Sequence, residues 1–548
     1  MTDTRRTILT VVFCASAFML WDKWNVSQGN APFFGPAPAV SQPVAAASGA
    51  APGQVPQPTT HGTAPVASTT PQLMPSATGQ IVIETDVIKA TVDARGGDLI
   101  GLQLLKHRAT DHSAGNVQLF TLGGEHQYLA QTGLVGNPAW PNHLSVMKAV
   151  PGERTLKDGQ TEVTLRLESD VQGGVQYVKT LHFPRGSYAI TVDHEVVNRS
   201  GAPIVPQLYL QLLRDGSSSK GGNSYYSTFT GPAFYTEAKK YQKVEIEKIK
   251  EGKAEFDKKS DNGWVAMVEH YFVSAWLLPE KAEREYFAKE ANHIYTAGAL
   301  MPLGTVNDGQ ARTVSTRLYA GPQDENTLEK LAPGMVAVKD YGIFSILAKP
   351  LFWVLNLVHQ LVGNWGWAIV GLVVLLKAAL YWLNASAYRS MAKMKAAAPK
   401  LTAIRERHKD DPQKQQQEMM RIYREEKVNP LGGCLPMVIQ MPVFIALYWV
   451  ILSSIELRDA AWLGWITDLS VKDPYYVLPT LMTLSTVLQT WLNPKPDDPM
   501  QAKMMWIMPL AFSVMFFFFP AGLVLYWLTN NLLSIAQQWL INKQLGVN

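Results

Sequence analysis

Apolar and polar positions follow two different periods along this chain. Between residues 80 and 325, apolar side chains recur at every second position in short runs. Examples are Ile81-Val82-Ile83-Glu84-Thr85, Glu162-Val163-Thr164-Leu165-Arg166-Leu167 and Tyr188-Ala189-Ile190-Thr191-Val192-Asp193-His194-Glu195-Val196. A period of two puts alternate side chains on opposite faces of a strand. Turn residues at Gly96-Gly97, Gly123-Gly124 and Gly173-Gly174 punctuate the runs. Many short strands in one stretch predict a large β-sandwich over 80–325. Within it, segment 237–259 is rich in Lys and Glu and reads as a helical or mobile insertion.

Beyond Tyr319 the apolar runs lengthen. In 350–362, Leu351, Val354, Leu355, Val358 and Leu361 recur at helical spacing with polar residues between them, which predicts an amphipathic interfacial helix. Longer runs follow at 365–383, 435–455, 476–492, 504–519 and 522–540. Each reaches, or nearly reaches, the length that crosses a bilayer at about 1.5 Å per residue. The last two form one continuous apolar stretch that Phe519-Pro520-Ala521-Gly522 breaks into two helices joined by a tight turn. A further apolar run, 7–20, follows Arg5 and Arg6, is bordered by Trp21 and Trp24, and lacks a small-residue cleavage site. Residues 1–24 therefore read as an uncleaved signal anchor. Residues 25–79 hold no Asp, Glu, Lys or Arg and are largely Pro, Ala, Gln, Ser, Thr and Gly, the composition of a flexible tether.

The fold class expected is thus a multidomain membrane protein. It combines an α-helical polytopic membrane domain, with six transmembrane helices of which five lie in 345–548, and a β-sandwich outside the membrane. Charge distribution sets the orientation. Residues 384–430 hold 11 Lys and Arg against 6 Asp and Glu, whereas 456–475 hold 2 against 4. The positive-inside rule places the first segment, Arg5 and Arg6, and both termini in the cytoplasm. It places the β domain and 456–475 outside.

Composition narrows the chemistry. A net charge of +4 is too small to imply direct contact with DNA. The two cysteines, Cys14 and Cys434, make neither a disulfide framework nor a cysteine metal site, and no cofactor is expected. There is no Walker-type phosphate loop, zinc-protease motif or nucleophile elbow.

One charge stands out. Lys377 lies 12 residues after Trp365, so about 18 Å along the second span. An ionisable group at such depth costs at least about 2.5 kcal/mol on insertion scales. It either snorkels towards the cytoplasmic headgroups or faces a wet cavity. The cavity reading is favoured by Tyr381 and Asn384 at i+4 and i+7 and by polar residues at depth in other spans: Gln440, Ser485, Gln489, Ser513, Thr529 and Asn530. No Asp or Glu lies inside those other spans to pair with Lys377. A fixed cation without a built-in anion suits an anionic guest held transiently. The groove residues expected are Lys377, Gln440, Ser513, Trp527 and Asn530.

Residues 385–430 read as a basic helical hairpin: a helix over 386–408 bent or interrupted near Pro399, then Asp411 as cap, Pro412 at the first helical position and a second helix over 413–427. Met391, Met394, Leu401 and Ile404 are expected to pack on Met419, Met420, Ile422 and Tyr423. The hairpin is either held by that seam alone or offers a Met-rich adaptable surface to clients or a ribosome-associated partner.

Several motifs resemble a known family. Asn429-Pro430-Leu431-Gly432-Gly433-Cys434-Leu435-Pro436 with Gln440-Met441-Pro442, Asp473-Pro474-Tyr475-Tyr476-Val477-Leu478-Pro479, Asp498-Pro499-Met500 and Phe519-Pro520-Ala521-Gly522-Leu523-Val524-Leu525-Tyr526-Trp527 are similar to those of the YidC family of bacterial membrane protein insertases, in its Gram-negative form with a large periplasmic domain. The resemblance spans the whole chain. It implies an insertase and folding chaperone of the bacterial inner membrane, with a hydrophilic groove open to cytoplasm and lipid and closed outside. It implies as partners nascent membrane proteins, membrane lipid, the Sec translocon with its accessory subunits, and the ribosome or signal recognition particle receptor at the hairpin. The family usually carries Arg where this chain has Lys377, and often Pro where it has Trp382. A long basic C-terminal tail, which serves ribosomes in some relatives, does not follow Lys543. A transporter or an intramembrane protease pairing Lys377 with a serine such as Ser513 are the rival classes. The first predicts inverted repeats or midplane acid–base pairs, and neither is evident.

Overall fold

The structure, a computed structural model, describes residues 79–109, 115–123, 126–217, 229–408, 411–425, 435–492 and 499–544. The signal anchor 1–24, almost all of the tether, and Cys14 and Cys434 lie outside these residues. The chain divides into two compact units, Met1–Lys339 and Asp340–Asn548.

The first unit is a sandwich of two nine-stranded sheets. One runs in the order Gln80–Glu84, Ile88–Asp93, Asp98–Arg108, Tyr128–Val135, Gln207–Asp215, Ile294–Pro302, Arg284–Ala291, Lys259–Ser260, with Asn116–Phe120 also paired to Asp98–Arg108. The other runs Lys240–Lys243, Gly231–Thr236, Trp264–Val268, Phe272–Leu277, Ala311–Pro322, Ala189–Asn198, Val175–Pro184, Glu162–Ser169, Met147–Ala149. Alternation is kept where one face meets solvent: Glu162–Ser169 buries Val163, Leu165 and Leu167 and opens the residues between. Tyr128–Val135 is buried at every position, so its pattern is apolar rather than alternating. Segment 237–259 departs from expectation. It holds the edge strand Lys240–Lys243 and the short helix α1 (Ile246–Lys250), and ends at the edge strand Lys259–Ser260, so it closes both sheets rather than hanging from them. Short, Lys-rich edges block further pairing, which explains the composition. Helix α2 (Glu325–Leu331), capped by Asp324 through Thr327 N, lays Leu328 and Leu331 on Trp264 and Tyr319.

Two glycine pairs make the turns that the sequence assigned them. Gln172 and Val175 exchange backbone bonds of 2.9 and 3.0 Å around Gly173 and Gly174, whose φ values are 56° and 75°. At Gly96 (φ 75°) a Cβ would also overlap the His143 carbonyl. Gly96→Ala is therefore expected to cost about 2 kcal/mol or more. Faster amide exchange in 88–108 of the full-length chain would register it.

A buried ion pair crosses the sandwich interior. Lys179 is 1% and Asp98 4% exposed, with Nζ 3.9 Å from Oδ1. Lys179 donates to the carbonyls of Gly96 and Thr132, and Asp98 Oδ2 accepts from Gln131 Nε2 at 2.9 Å. Among the described residues Oδ1 has no hydrogen-bond donor. Burial pushes the Asp98 carboxyl up to about 7, with the ammonium opposing, and pulls Lys179 below its usual range.

The second unit is helical: α3 (Ser345–Val362), α4 (Trp365–Ala379), α5 (Tyr381–Arg407), α6 (Pro412–Glu425), α7 (Leu435–Ser453), α8 (Val477–Leu492), α9 (Pro499–Met515) and α10 (Ala521–Gln544). Helix α3 begins five residues before the expected interfacial segment 350–362. It buries Ala348, Phe352, Leu355 and Val358 and leaves Leu361 81% exposed. Among the described residues it is the one helix meeting both length and hydropathy criteria for a span; α4, α8 and parts of α7 and α9 are shorter apolar helices. The core packs Leu355 of α3, Ile369 and Leu372 of α4, Leu447 and Val450 of α7, and Leu523 and Val524 of α10. Trp491 of α8 and Ile507, Met508 and Val514 of α9 stay more than half exposed. A soluble surface would not tolerate such an apolar face, and a lipid-facing one requires it.

Two boundaries differ from the sequence reading. The helix expected over 365–383 stops at Ala379. Leu380 (φ −94°, ψ 10°) interrupts it, and α5 starts at Tyr381, ahead of the expected hairpin boundary at 385. Of the two expectations at Pro399, a bend or an interruption, the helix is not interrupted: α5 runs through the proline. Asp411 Oδ1 accepts from Lys414 N at 3.1 Å, so the cap of α6 forms as its sequence suggests.

Candidate functional groove

Helix α10 owes its start to Pro520, which cannot continue the preceding turn, and its chemistry to a stripe of polar residues. Asn530, Asn531, Ser534, Gln537 and Gln538 recur at i, i+1, i+4, i+7 and i+8, the spacing of one helical face. The stripe is largely buried: Asn531, Ser534 and Gln538 are at most 5% exposed. Burial of polar groups requires partners, and neighbouring helices supply them to Asn530, Asn531 and Ser534 on two sides.

On one side, Asn531 Nδ2 donates to Ser485 Oγ at 3.2 Å and to Thr486 Oγ1 at 3.1 Å, tying α10 to α8. On the other, Gln440 Nε2 of α7 donates to Asn530 Oδ1 at 2.7 Å. Ser534 Oγ donates to the Asn530 carbonyl at 2.7 Å and accepts from Lys377 Nζ at 2.7 Å. Lys377, Gln440 and Asn530, three residues the sequence singled out, thus converge through a fourth it did not, Ser534. The signal for Ser534 was its i+4 spacing from Asn530. Asn531 was likewise legible as part of the stripe.

Two expected groove residues form no hydrogen bond to this set among the described residues. Ser513 Oγ turns back to the Pro509 carbonyl of its own helix at 2.8 Å and is buried. Trp527 belongs to an apolar wall, with its ring centroid 4.5 Å from Phe444 and 5.1 Å from Phe516. Tyr381, expected on the Lys377 face, lies past the break at Leu380 and is half-exposed; Asn384 is buried. On the hairpin, α5 and α6 pack together, Leu401 is buried, Met419 half-buried and Met420 exposed. The side chains of Met391 and Met394 lie outside the described residues.

The electrostatics are one-sided. An ammonium carries three donors, and among the described residues Ser534 is its one hydrogen-bond partner. No carboxylate lies within ion-pair distance of it among those residues. Placing the charge in the last turn of α4, near the negative end of the helix dipole, offsets part of its burial. No group of His, Cys, Asp and Glu among the described residues is arranged to hold a metal ion.

Comparison with known proteins covers both units. The YidC periplasmic domain family matches residues 80–354, and the family described as 60Kd inner membrane protein matches residues 357–547. The chain is 51% identical to the membrane protein insertase YidC of Cupriavidus necator over 553 residues, 99% of this chain and 98% of the relative. It is 51% identical to that of Ralstonia nicotianae over 551 residues, 100% of this chain and 99% of the relative. A crystal structure of an active YidC insertase with its first transmembrane domain resolved aligns with 84% of this chain and 92% of its own, at 18% identity and a TM-score of 0.39. On the identity and coverage of its relatives, the chain belongs to the YidC family of membrane protein insertases.

Proposed function

We propose that the protein inserts nascent membrane proteins into a bacterial inner membrane through the groove between α4, α7 and α10. The observation that carries this reading is Lys377, a half-buried ammonium whose described partner is a hydroxyl rather than a carboxylate. Its position invites an acidic client segment. At 4 Å and an effective dielectric near 20, a carboxylate gains about 4 kcal/mol from such a charge. The client's apolar residues meanwhile leave water along the exposed faces of α8 and α9, at about 25 cal/mol per Å². No nucleotide is needed. Membrane potential assists acidic segments moving outwards by about 2.3 kcal/mol per charge per 100 mV.

In this reading six helices span the membrane, both termini and the α5–α6 hairpin face the cytoplasm, and the β-sandwich is periplasmic. Exposed Met420 then offers the hairpin's adaptable surface to the ribosome or signal recognition particle receptor. The Sec translocon and its accessory subunits act alongside for clients that need both. The rival protease reading is weakened by the hydrogen bonds: Ser513 gives its hydroxyl proton to the Pro509 carbonyl of its own helix, and Ser534, the serine that does meet Lys377, gives its proton to the Asn530 carbonyl and not to the lysine.

Photocrosslinkers placed at Asn530 and Ser534 test the proposal on ribosome-stalled chains. Adducts with a membrane-bound nascent chain are expected. Client cleavage without adducts would support a protease, and neither product would refute a client groove here.

A further inference from the structure

The Asp473-Pro474-Tyr475 motif lies in the loop between α7 and α8, residues 454–476, and the groove does not use it. Asp473 is 2% exposed. Its Oδ1 accepts from Tyr475 N and from the Trp465 indole Nε1, both at 3.0 Å, and Oδ2 accepts from Leu478 N at 2.7 Å. One carboxylate therefore caps the first turn of α8 and holds the middle of the loop to it.

The rest of the loop is fastened to two other helix starts. The Val471 carbonyl accepts from Ala521 N at 2.7 Å and the Leu469 carbonyl from Gly522 N at 2.9 Å. These are N–H groups that the first turn of α10 cannot pair internally. A Cβ at Gly522 would sit 3.1 Å from the Leu469 carbonyl oxygen, close enough to press on this contact. At α4, Asn364 Nδ2 donates to the Ala461 carbonyl at 2.9 Å, and the Trp462 ring occupies the space where Gly366 lacks a side chain. Trp462 also meets Trp367 edge-on at 5.6 Å. The N-terminal ends of α4, α8 and α10 are thus bound to one loop at one end of the bundle. Lys377 and Ser534 each lie 12 residues beyond that end, counted from Trp365 and Gly522, or about 18 Å down their helices.

We infer that loop 454–476 is the seal that closes the groove towards the outside and that Asp473 is its latch. This rests on the groove reading above. Asp473 touches no client and acts by positioning: its carboxylate holds Trp465 against the start of α8 while the Leu469 and Val471 carbonyls hold the loop to α10. Without it three N–H donors lose their acceptor together, and the loop is released from α8.

The test is thiol accessibility in the full-length chain, with Cys14→Ser and Cys434→Ser as background and Gln440→Cys as reporter. A charged, membrane-impermeant maleimide is added from the outer face of spheroplasts or the inner face of inverted vesicles. With Asp473 present, labelling is expected from the inner face and not from the outer. Asp473→Ala is expected to raise outer labelling about tenfold or more, because the three hydrogen bonds of one carboxylate are lost together. The inner rate should stay unchanged, which a general loss of structure would not allow. Trp465→Phe removes one of the three bonds and is expected to give a smaller rise. Outer labelling that stays at the starting level in Asp473→Ala overturns the latch. If that variant does not accumulate, unchanged outer labelling in Trp465→Phe overturns it instead. Failure to label Gln440→Cys from the inner face, with Asp473 intact, refutes the groove itself and the seal with it.

Discussion

Lys377→Ala is expected to slow insertion of an acidic, groove-dependent client by roughly 10- to 100-fold, corresponding to the loss of about 1.4–2.8 kcal/mol of attraction. The full attraction of about 4 kcal/mol is not forfeited, because water enters the space and solvates the client carboxylate. Lys377→Glu is expected to be worse, since it repels the same segment. Lys377→Arg is expected to retain most activity: the charge persists and the guanidinium adds donors that Ser534 and a client can share. Clients without acidic residues should respond least. The measurement is the protease-protected fraction of a single-span client in proteoliposomes, with and without acidic residues in its translocated tail. Equal insertion of both clients by Lys377→Ala would remove charge attraction from the mechanism.

The second large effect is predicted for the β-sandwich and depends on pH. Lys179→Met strands Asp98 among Thr132, Gln131 and apolar neighbours. Breaking a buried pair by removing one partner costs about 3–5 kcal/mol when the remaining group stays charged. Asp98 need not stay charged. Burial already lifts its carboxyl to about 7, and removing the opposing ammonium lifts it further. A carboxyl whose folded value is raised contributes stability that is fully present below its unfolded value near 4 and lost as pH rises through about 7. The damage from Lys179→Met should therefore be greatest at pH 8 and much smaller at pH 5, where Asp98 is neutral in either chain. The residue at pH 5 reflects the carbonyls of Gly96 and Thr132, which lose their donor. Hydrogen exchange in 98–108 and 175–184 of the full-length chain at the two pH values measures it. A cost that is the same at both would show that Asp98 titrates normally.

Much of this was legible in the sequence because it rests on periodicity and on charges where they do not belong. Alternation in 162–169 and 189–198 announced strands with one open face. The depth of Lys377, and the polar Gln440 and Asn530 in apolar runs, set these residues apart, and hydrogen bonds join them through Ser534. What escaped had physical reasons. Strand 128–135 is buried on both faces, so period two vanishes. The stop at Leu380 comes from backbone geometry in an otherwise unbroken apolar run. Ser513 resembled Asn530 by depth alone, and a serine can satisfy its hydroxyl on its own helix without facing a cavity. Trp527 was named as a groove residue, while its ring packs against Phe444 and Phe516. Segment 237–259 looked detachable by composition, yet the same charges serve edge strands. Nothing local in the sequence marks Asp98 and Lys179, 81 positions apart, as a buried pair; the closing of the two sheets brings them together.

The polar stripe of α10 has a kinetic consequence. With no client bound, Gln440, Asn530, Ser534 and Lys377 already serve one another. Away from the Lys377 charge, a client side chain that enters the proposed groove trades places with an existing bond instead of filling a vacancy, and each such trade is nearly neutral in free energy. Grip is then weak and residence short. A passage that many unrelated sequences must leave as readily as they enter is served by that low affinity.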